Sequence, residues 1–307
     1  MSHTQSRRRF LGNLGAASLA SLLPQWSAAA SKPAAAFHRV LTCNIRVALP
    51  EDEANGRGWP QRKDICLKII KNQRPDIVGF QEVLKVQAED IRKAFPKHGL
   101  FGYDGPEMDA HTEGYHGIAK NPILFSEERY ELTGGGIYWL SETPLVAGSM
   151  SWGTARARHA NWVRLRERKT GQELRVINLH LDHVSAEAKR QQAKMIVEES
   201  AQYQSDFPQI LTGDFNSKAT SDVFEPVKTG GWADTYSAVH GSKPVSFTAH
   251  AFEGEQYTKG KPDGRIDFIF SKGPVTALAA SVIKNKMEGR YPSDHFFVSA
   301  DVTIHTP

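Results

Sequence analysis

Six short segments concentrate the side chains that could do chemistry: Asn44, Asp76-Ile77-Val78-Gly79-Phe80-Gln81-Glu82, Asn178-Leu179-His180, Thr212-Gly213-Asp214-Phe215-Asn216, Ile266-Asp267-Phe268-Ile269-Phe270 and Ser293-Asp294-His295. Hard oxygen donors such as these carboxylates and amides suit Mg²⁺ or Mn²⁺, and the chain lacks the Cys and His spacing of a zinc site. Imidazoles beside carboxylates suit proton transfer near neutral pH. Each segment alone is weak, because any strand can end in a solvated acid, and Glu82 by itself reads as structural. The joint occurrence of all six carries the inference.

Such side chains need elements whose polar faces converge. Three segments alternate as strands do, with successive side chains on opposite faces. In residues 40–47, Thr42, Asn44 and Arg46 share a face opposite Leu41, Cys43 and Ile45. In residues 176–183, Asn178, His180 and Asp182 oppose Ile177, Leu179 and Leu181, and in residues 210–216, Thr212, Asp214 and Asn216 line up. Each polar run falls at the C-terminal end of an otherwise apolar strand. Helices are expected over residues 61–71, 88–95 and 185–202, the last opened by Ser185 with Glu187 in its first turn. Further strands are expected over residues 130–140, 162–168, 266–270 and 296–303, which gives an α+β mixture of helices over sheets. Residues 98–121 form a glycine-rich, aromatic stretch without a clear period, and so long a loop in a compact domain is often functional.

The 307 residues are 40% hydrophobic and 23% charged, which excludes a disordered chain or a collagen-like repeat. Ser6-Arg7-Arg8-Arg9-Phe10-Leu11-Gly12 precedes a short apolar run over residues 14–23 and the small residues Ser27-Ala28-Ala29-Ala30-Ser31. This is the pattern of a secretion signal, and it resembles a twin-arginine signal read by the twin-arginine export machinery. Residues 1–30 are therefore expected to be an export signal, 31–36 a linker and 37–307 one catalytic domain, placed in the periplasm or secreted. Removing Arg7, Arg8 and Arg9 from the net charge of +4 leaves about +1. That is far from the strongly basic surface with which proteins grip long nucleic acid. No stable protein partner is expected.

Together and in this order, the six segments resemble the endonuclease/exonuclease/phosphatase superfamily, which includes pancreatic-type deoxyribonucleases, abasic-site nucleases, inositol polyphosphate phosphatases and sphingomyelinases. The resemblance spans residues 37–303, and its most specific pieces are Gly213-Asp214-Phe215-Asn216 and Ser293-Asp294-His295. It implies a four-layer α/β sandwich, with two mainly antiparallel sheets face to face, helices outside and the site at one rim. It implies a metal-dependent hydrolase of phosphate esters, a reaction that needs an activated water and charge relief on the phosphoryl and leaving oxygens.

By resemblance, Glu82 and Asp294 ligate Mg²⁺ or Mn²⁺, one ion or two, with Asn44 as a ligand or a holder of bound water. Asp214 would orient or deprotonate the attacking water, and Asn216 would hold it or donate to a phosphoryl oxygen. His295 would donate to the phosphate or act as acid or base, with Asp267 fixing its ring and stabilising its cation. His180 would add a second donor. Arg158 is the substrate-contact candidate of the basic stretch 156–169. The substrate could be a phosphorylated small molecule, a nucleotide, a lipid head group or nucleic acid, and the near-neutral charge inclines toward the small ones. A secreted nuclease and a non-catalytic binding protein on the same scaffold are the alternatives.

The remaining features read as structural. Arg164, Arg166 and Arg168 alternate along one strand and suit a solvated outer face. His38, His98, His240, His250 and His305 suit surface or core positions, while His111, His116 and His183 lie near the expected rim. Tyr138-Trp139-Leu140-Ser141-Glu142-Thr143-Pro144 resembles a segment of secreted bacterial members of the superfamily, with Trp139 as core. Cys43 and Cys66 would be permitted to pair in an oxidising compartment, but their apolar settings favour two buried free thiols.

Overall fold

The computed structural model describes residues 37–102, 119–241, 243, 246–259 and 264–305. The expected export signal and linker, His111 and His116 lie outside the described residues.

Among the described residues, twelve strands form two six-stranded sheets. The first runs, in spatial order, β11 (Val275–Ile283), β12 (Phe297–Ile304), β1 (His38–Asn44), β2 (Ile77–Gln81), β4 (Ile123–Ser126) and β3 (His98–Phe101). The second runs β5 (Tyr130–Trp139), β6 (His159–Glu167), β7 (Glu173–His180), β8 (Gln209–Asp214), β10 (Asp267–Lys272) and β9 (Ala233–Asp234). Each sheet holds one parallel pair, β1 with β2 and β7 with β8. All other pairings are antiparallel, so the expected mainly antiparallel sandwich is what forms.

Side-chain alternation sorts the strands into layers. Leu41 and Cys43 of β1 and Val78 and Phe80 of β2 face α2 (Trp59–Asn72) and α3 (Lys85–Ala94), which cover that sheet with Cys66, Ile69, Ile70, Ala88 and Ile91. Short α1 (Pro50–Ala54) precedes them and buries no side chain. On the second sheet Ile177, Leu179, Leu211 and Phe268 pack against Ala193 and Ile196 of α4 (Ala186–Ser200) and Val227 of α5 (Glu225–Thr229). The last helix, α6 (Thr235–His240), follows β9 directly. Ser185 caps α4 by accepting from the Ala188 amide, as its position in the sequence suggests. Cys43 and Cys66 are both buried free thiols.

The interior between the sheets changes character along the strands. One half is apolar, with Val40, Ile77, Val176, Ile210 and Ile269. Further along, the inward residues become Thr42, Gln81, Asn178 and Thr212, all fully buried. Buried polar groups must find partners, and these find one another across the sheets. Gln81 Nε2 donates to Asn178 Oδ1 at 2.7 Å, and the Thr212 hydroxyl reaches the same oxygen at 3.0 Å. Asn178 Nδ2 donates to the carbonyls of Phe80 and Asn121. Gly79 makes room for this network: a Cβ there would stand 2.2 Å from Thr212 Oγ1 and 2.5 Å from Asn178 Oδ1. Beyond the network the strands end in Asn44, His180 and Asp214.

Several expectations need correcting. The strands end earlier than alternation alone suggests: β1 at Asn44, β7 at His180 and β8 at Asp214. Arg46 and Asn216 adopt left-handed conformations (φ 58° and 47°), so the chain turns where a strand would have continued. Asp182 does not extend the polar face of β7. Its carboxylate accepts from the amides of Ala155, Val184 and Ser185 and anchors the entry to α4. Of the stretch 98–121 the described residues include β3, and β2, β4, β9 and β11 are further strands that alternation does not signal. His38 is buried against the Tyr130 hydroxyl at 2.6 Å. Arg164 and Arg166 lie on an outer face, paired with Glu173 of the neighbouring strand, and Trp139 is in the core.

Candidate active site

A cleft of about 260 Å³ opens where both parallel pairs end. Glu82, Arg158, His180, Asp214, Asn216, Asp294 and His295 line it, with Arg46, Arg156 and His183 beside them. Asn44 and Asp267 stand directly behind this lining. The nine site residues named from the sequence therefore gather at one place, drawn from both sheets and from the turns that follow them.

Asn44 joins the two sides. Its Nδ2 donates to Glu82 Oε1 and to Asp214 Oδ2, both at 3.0 Å, across sequence separations of 38 and 170 residues. Glu82 sits one residue beyond β2 with φ 66°, a strained conformation held by the Val47 amide donating to Oε2 at 2.9 Å. Burial is the largest influence on the Glu82 carboxyl and pushes it up. The Val47 amide, Asn44 and the charges of His295 and Arg46 together outweigh it, and Glu82 lies below the usual carboxylate range. Asp294 is shifted the other way, raised by burial and by the Glu82 charge against the pull of His295 and Arg46. The Glu82 charge raises the cost of ionising Asp294, which a divalent cation would relieve, and both are hard oxygen donors lining one cleft, so these residues fit Mg²⁺ or Mn²⁺.

The other side centres on His295. Its Nδ1 lies 2.9 Å from Asp267 Oδ2 and 3.9 Å from Asp214 Oδ2. Burial, the strongest influence, favours the neutral ring, but Asp267, Asp214 and Asp294 overcome it and hold the imidazole well above its usual pKa. Asp214 is pushed up to about 7, by burial first and then by the Asp267 charge, with His295, the Asn216 amide and Asn44 pulling down. The same arrangement thus keeps the histidine cationic and makes Asp214 a proton acceptor poised near neutrality. His180 is buried, and burial together with Arg158 and the neighbouring histidines lowers its pKa far below the usual value. Its Nε2 lies 3.0 Å from Asn216 Nδ2 and 3.5 Å from Asp214 Oδ2.

Among the described residues, Asp214, Asp267 and His295 also bring three potential ligand atoms within 4.8 Å of one another. The His295–Asp267 hydrogen bond already engages two of these three groups.

Sequence reasoning passed over the groups that hold this site. Thr248 accepts from the amides of Ile266 and Asp267 through its hydroxyl and from the Phe296 amide through its carbonyl, fixing both sides of the dyad. Buried Arg62 donates to the carbonyls of Ile45, Arg46 and Pro292. Neither belongs to a motif, and a polar residue inside an apolar helix face, as at Arg62, was the one available signal.

The sequence matches the endonuclease/exonuclease/phosphatase family over residues 41–295. Among solved structures it is similar to an endonuclease/exonuclease/phosphatase from Bacteroides vulgatus, with 30% identity and a TM-score of 0.77, covering 88% of this chain and 99% of that one. It is also similar to a mannosyl-6-phosphatase from Bacteroides thetaiotaomicron, with 27% identity and a TM-score of 0.76, covering 87% and 100%. Nocturnin from Drosophila melanogaster is 23% identical over 286 residues, which are 81% of this chain and 42% of that protein.

Proposed function

The chain belongs to the endonuclease/exonuclease/phosphatase family, whose members hydrolyse phosphoester bonds, and from that premise we propose that it is an exported, divalent-metal-dependent phosphoesterase acting on a small phosphorylated substrate. The observation that carries this reading is the pair of hydrogen bonds that Asn44 Nδ2 donates to Glu82 and Asp214, which sets a ligand-type carboxylate beside a proton-accepting one in one cleft. Export rests on Arg7, Arg8 and Arg9 ahead of Phe10-Leu11 and the apolar run that follows. The small substrate rests on the modest cleft, the near-neutral charge without the leader and the likeness to a sugar-phosphate phosphatase.

Glu82 and Asp294 would hold Mg²⁺ or Mn²⁺, with Asn44 as a ligand or a support for bound water. When bound, the cation supplies neutralisation of charge on the phosphoryl group. Asp214 takes a proton from water as its oxygen attacks phosphorus opposite the leaving oxygen. The new P–O bond forms while the ester P–O bond breaks, and the leaving oxygen is protonated. Cationic His295, steadied by Asp267 on Nδ1, presents Nε2–H to a phosphoryl or leaving oxygen. Asn216 holds the water or donates to the phosphoryl group, and His180 and Arg158 face the same space.

The test is phosphate or p-nitrophenol release by purified protein from p-nitrophenyl phosphate, bis-p-nitrophenyl phosphate, hexose 6-phosphates, plasmid and RNA, with Mg²⁺, Mn²⁺ or chelator. Metal-dependent turnover led by small esters supports the reading. Turnover confined to plasmid or RNA, or silence with every substrate, counts against it.

A further inference from the structure

Arg46 lines the cleft from an unusual backbone position. It follows β1 by two residues and adopts φ 58°, a left-handed conformation that costs a non-glycine residue of order 1–3 kcal/mol. Strain of that size persists only where surrounding contacts over-determine it. Here they do. The Arg46 amide donates to Asn44 Oδ1 at 3.0 Å, and its carbonyl accepts from Gln87 Nε2 at 2.8 Å and from Arg62 Nη2. Gln87 and Arg62 are themselves buried.

The side chain is tethered as firmly. Nε and Nη2 donate to the two oxygens of Asp52, at 2.7 and 3.2 Å, in the forked geometry that fixes a guanidinium plane. This leaves Nη1 directed into the cleft, 3.5 Å from Asp294 Oδ2. A residue serving only as counter-charge to Asp294 would need neither the strained backbone nor a second carboxylate holding the far edge of the fork.

We propose that Arg46 is a further catalytic residue, whose Nη1 binds a non-bridging oxygen of the phosphoryl group beside the ligand carboxylates, and that Asp52 is its positioning residue. The inference rests on the phosphoesterase reading of the same cleft. An arginine preset in this way offers a planar donor to charge that builds up on the phosphoryl oxygens, with no reorganisation during the reaction.

The experiment uses the full-length protein with Mn²⁺ and compares the wild type with Arg46→Met, Asp52→Ala and the double variant. Affinity for inorganic phosphate is measured by calorimetry, and kcat and KM on the best chromogenic ester. Arg46→Met should weaken phosphate at least tenfold and lower kcat/KM by about 10²–10³, most of it in kcat. Asp52→Ala should lose less, and adding it to Arg46→Met should cost nothing further, because Asp52 acts through Arg46. Arg46→Lys should recover part of the loss. Phosphate affinity in Arg46→Met within threefold of the wild type, an additive double variant, or tighter Mn²⁺ binding with unchanged kcat/KM would each overturn the proposal. A wild type that binds phosphate through Arg46 but turns over no ester would sink the wider reading while leaving this contact intact.

Discussion

Nδ1 of His295 lies 2.9 Å from Oδ2 of Asp267, and Asp267 is in turn the register partner of Asp214 across β8 and β10. One antiparallel pairing therefore sets the distance between the residue bonded to the histidine and the residue proposed to accept the proton. Asp267→Asn keeps the shape and removes the charge that favours the imidazolium. It should lower kcat by about 10²–10⁴ with little change in stability. Steady-state kinetics alongside a urea denaturation curve checks both halves of that statement.

Metal affinity separates the two acidic groups of the cleft. Glu82→Gln should weaken Mn²⁺ by at least about 10-fold and show its activity loss first at limiting metal. Asp267→Asn should leave Mn²⁺ affinity within about 3-fold, because Asp267 is engaged with His295. The reverse order in a calorimetric titration would move the ion to the Asp214, Asp267 and His295 cluster.

The faces of Asn44, His180 and Asp214 were legible because alternation along a strand is a local property, and the apolar residues opposite them had to meet helices. Asp267, Asp294 and His295 were legible through the family resemblance rather than through periodicity. Alternation places Arg46 and Asn216 in strands, because a left-handed turn leaves little trace in the sequence when the residue is not glycine. Alternation also carries Asp182 onto the polar face of β7, whereas the strand ends at His180 and the Asp182 carboxylate is taken up by the amides of residues 155 and 185. Arg62 reaches Pro292 across 230 residues, and no local pattern reports a bond of that span. Short strands such as β3 and β9 form only because a neighbour offers its edge.

Gly79 is required by the polar network beneath the site. Gly79→Ala would push a methyl into Thr212 Oγ1 and Asn178 Oδ1. The variant should lose about 1–3 kcal/mol by overpacking and more if a buried amide loses its partner. Equilibrium urea unfolding measures this directly, and an unchanged midpoint would mean that the sheets separate there at no cost.

Stability should fall in mild acid through His38. Burial first, then the Arg129 charge, lowers its pKa to about 4 in the folded protein, against 6.5 for the free side chain. Between those values the unfolded chain binds the extra proton, so this contribution is complete above about pH 6.5 and lost as pH falls toward 4. Its full size is about 3 kcal/mol. His38→Asn, which retains a partner for the Tyr130 hydroxyl, should flatten that part of the stability profile relative to the wild type. Equal slopes for the two proteins between pH 6.5 and 4 would place the titration elsewhere.

The central claim is that Asp214 activates water for attack on a phosphoester in a site that needs a divalent cation. The most direct measurement is the rate of phosphate release from p-nitrophenyl phosphate and hexose 6-phosphates by wild type and Asp214→Asn, in Mn²⁺ and in excess chelator. Turnover by the wild type in Mn²⁺, abolished by chelator and lowered by about 10²–10⁴ in Asp214→Asn, is the predicted result. Equal rates for the two proteins, or rates indifferent to the chelator, would contradict it.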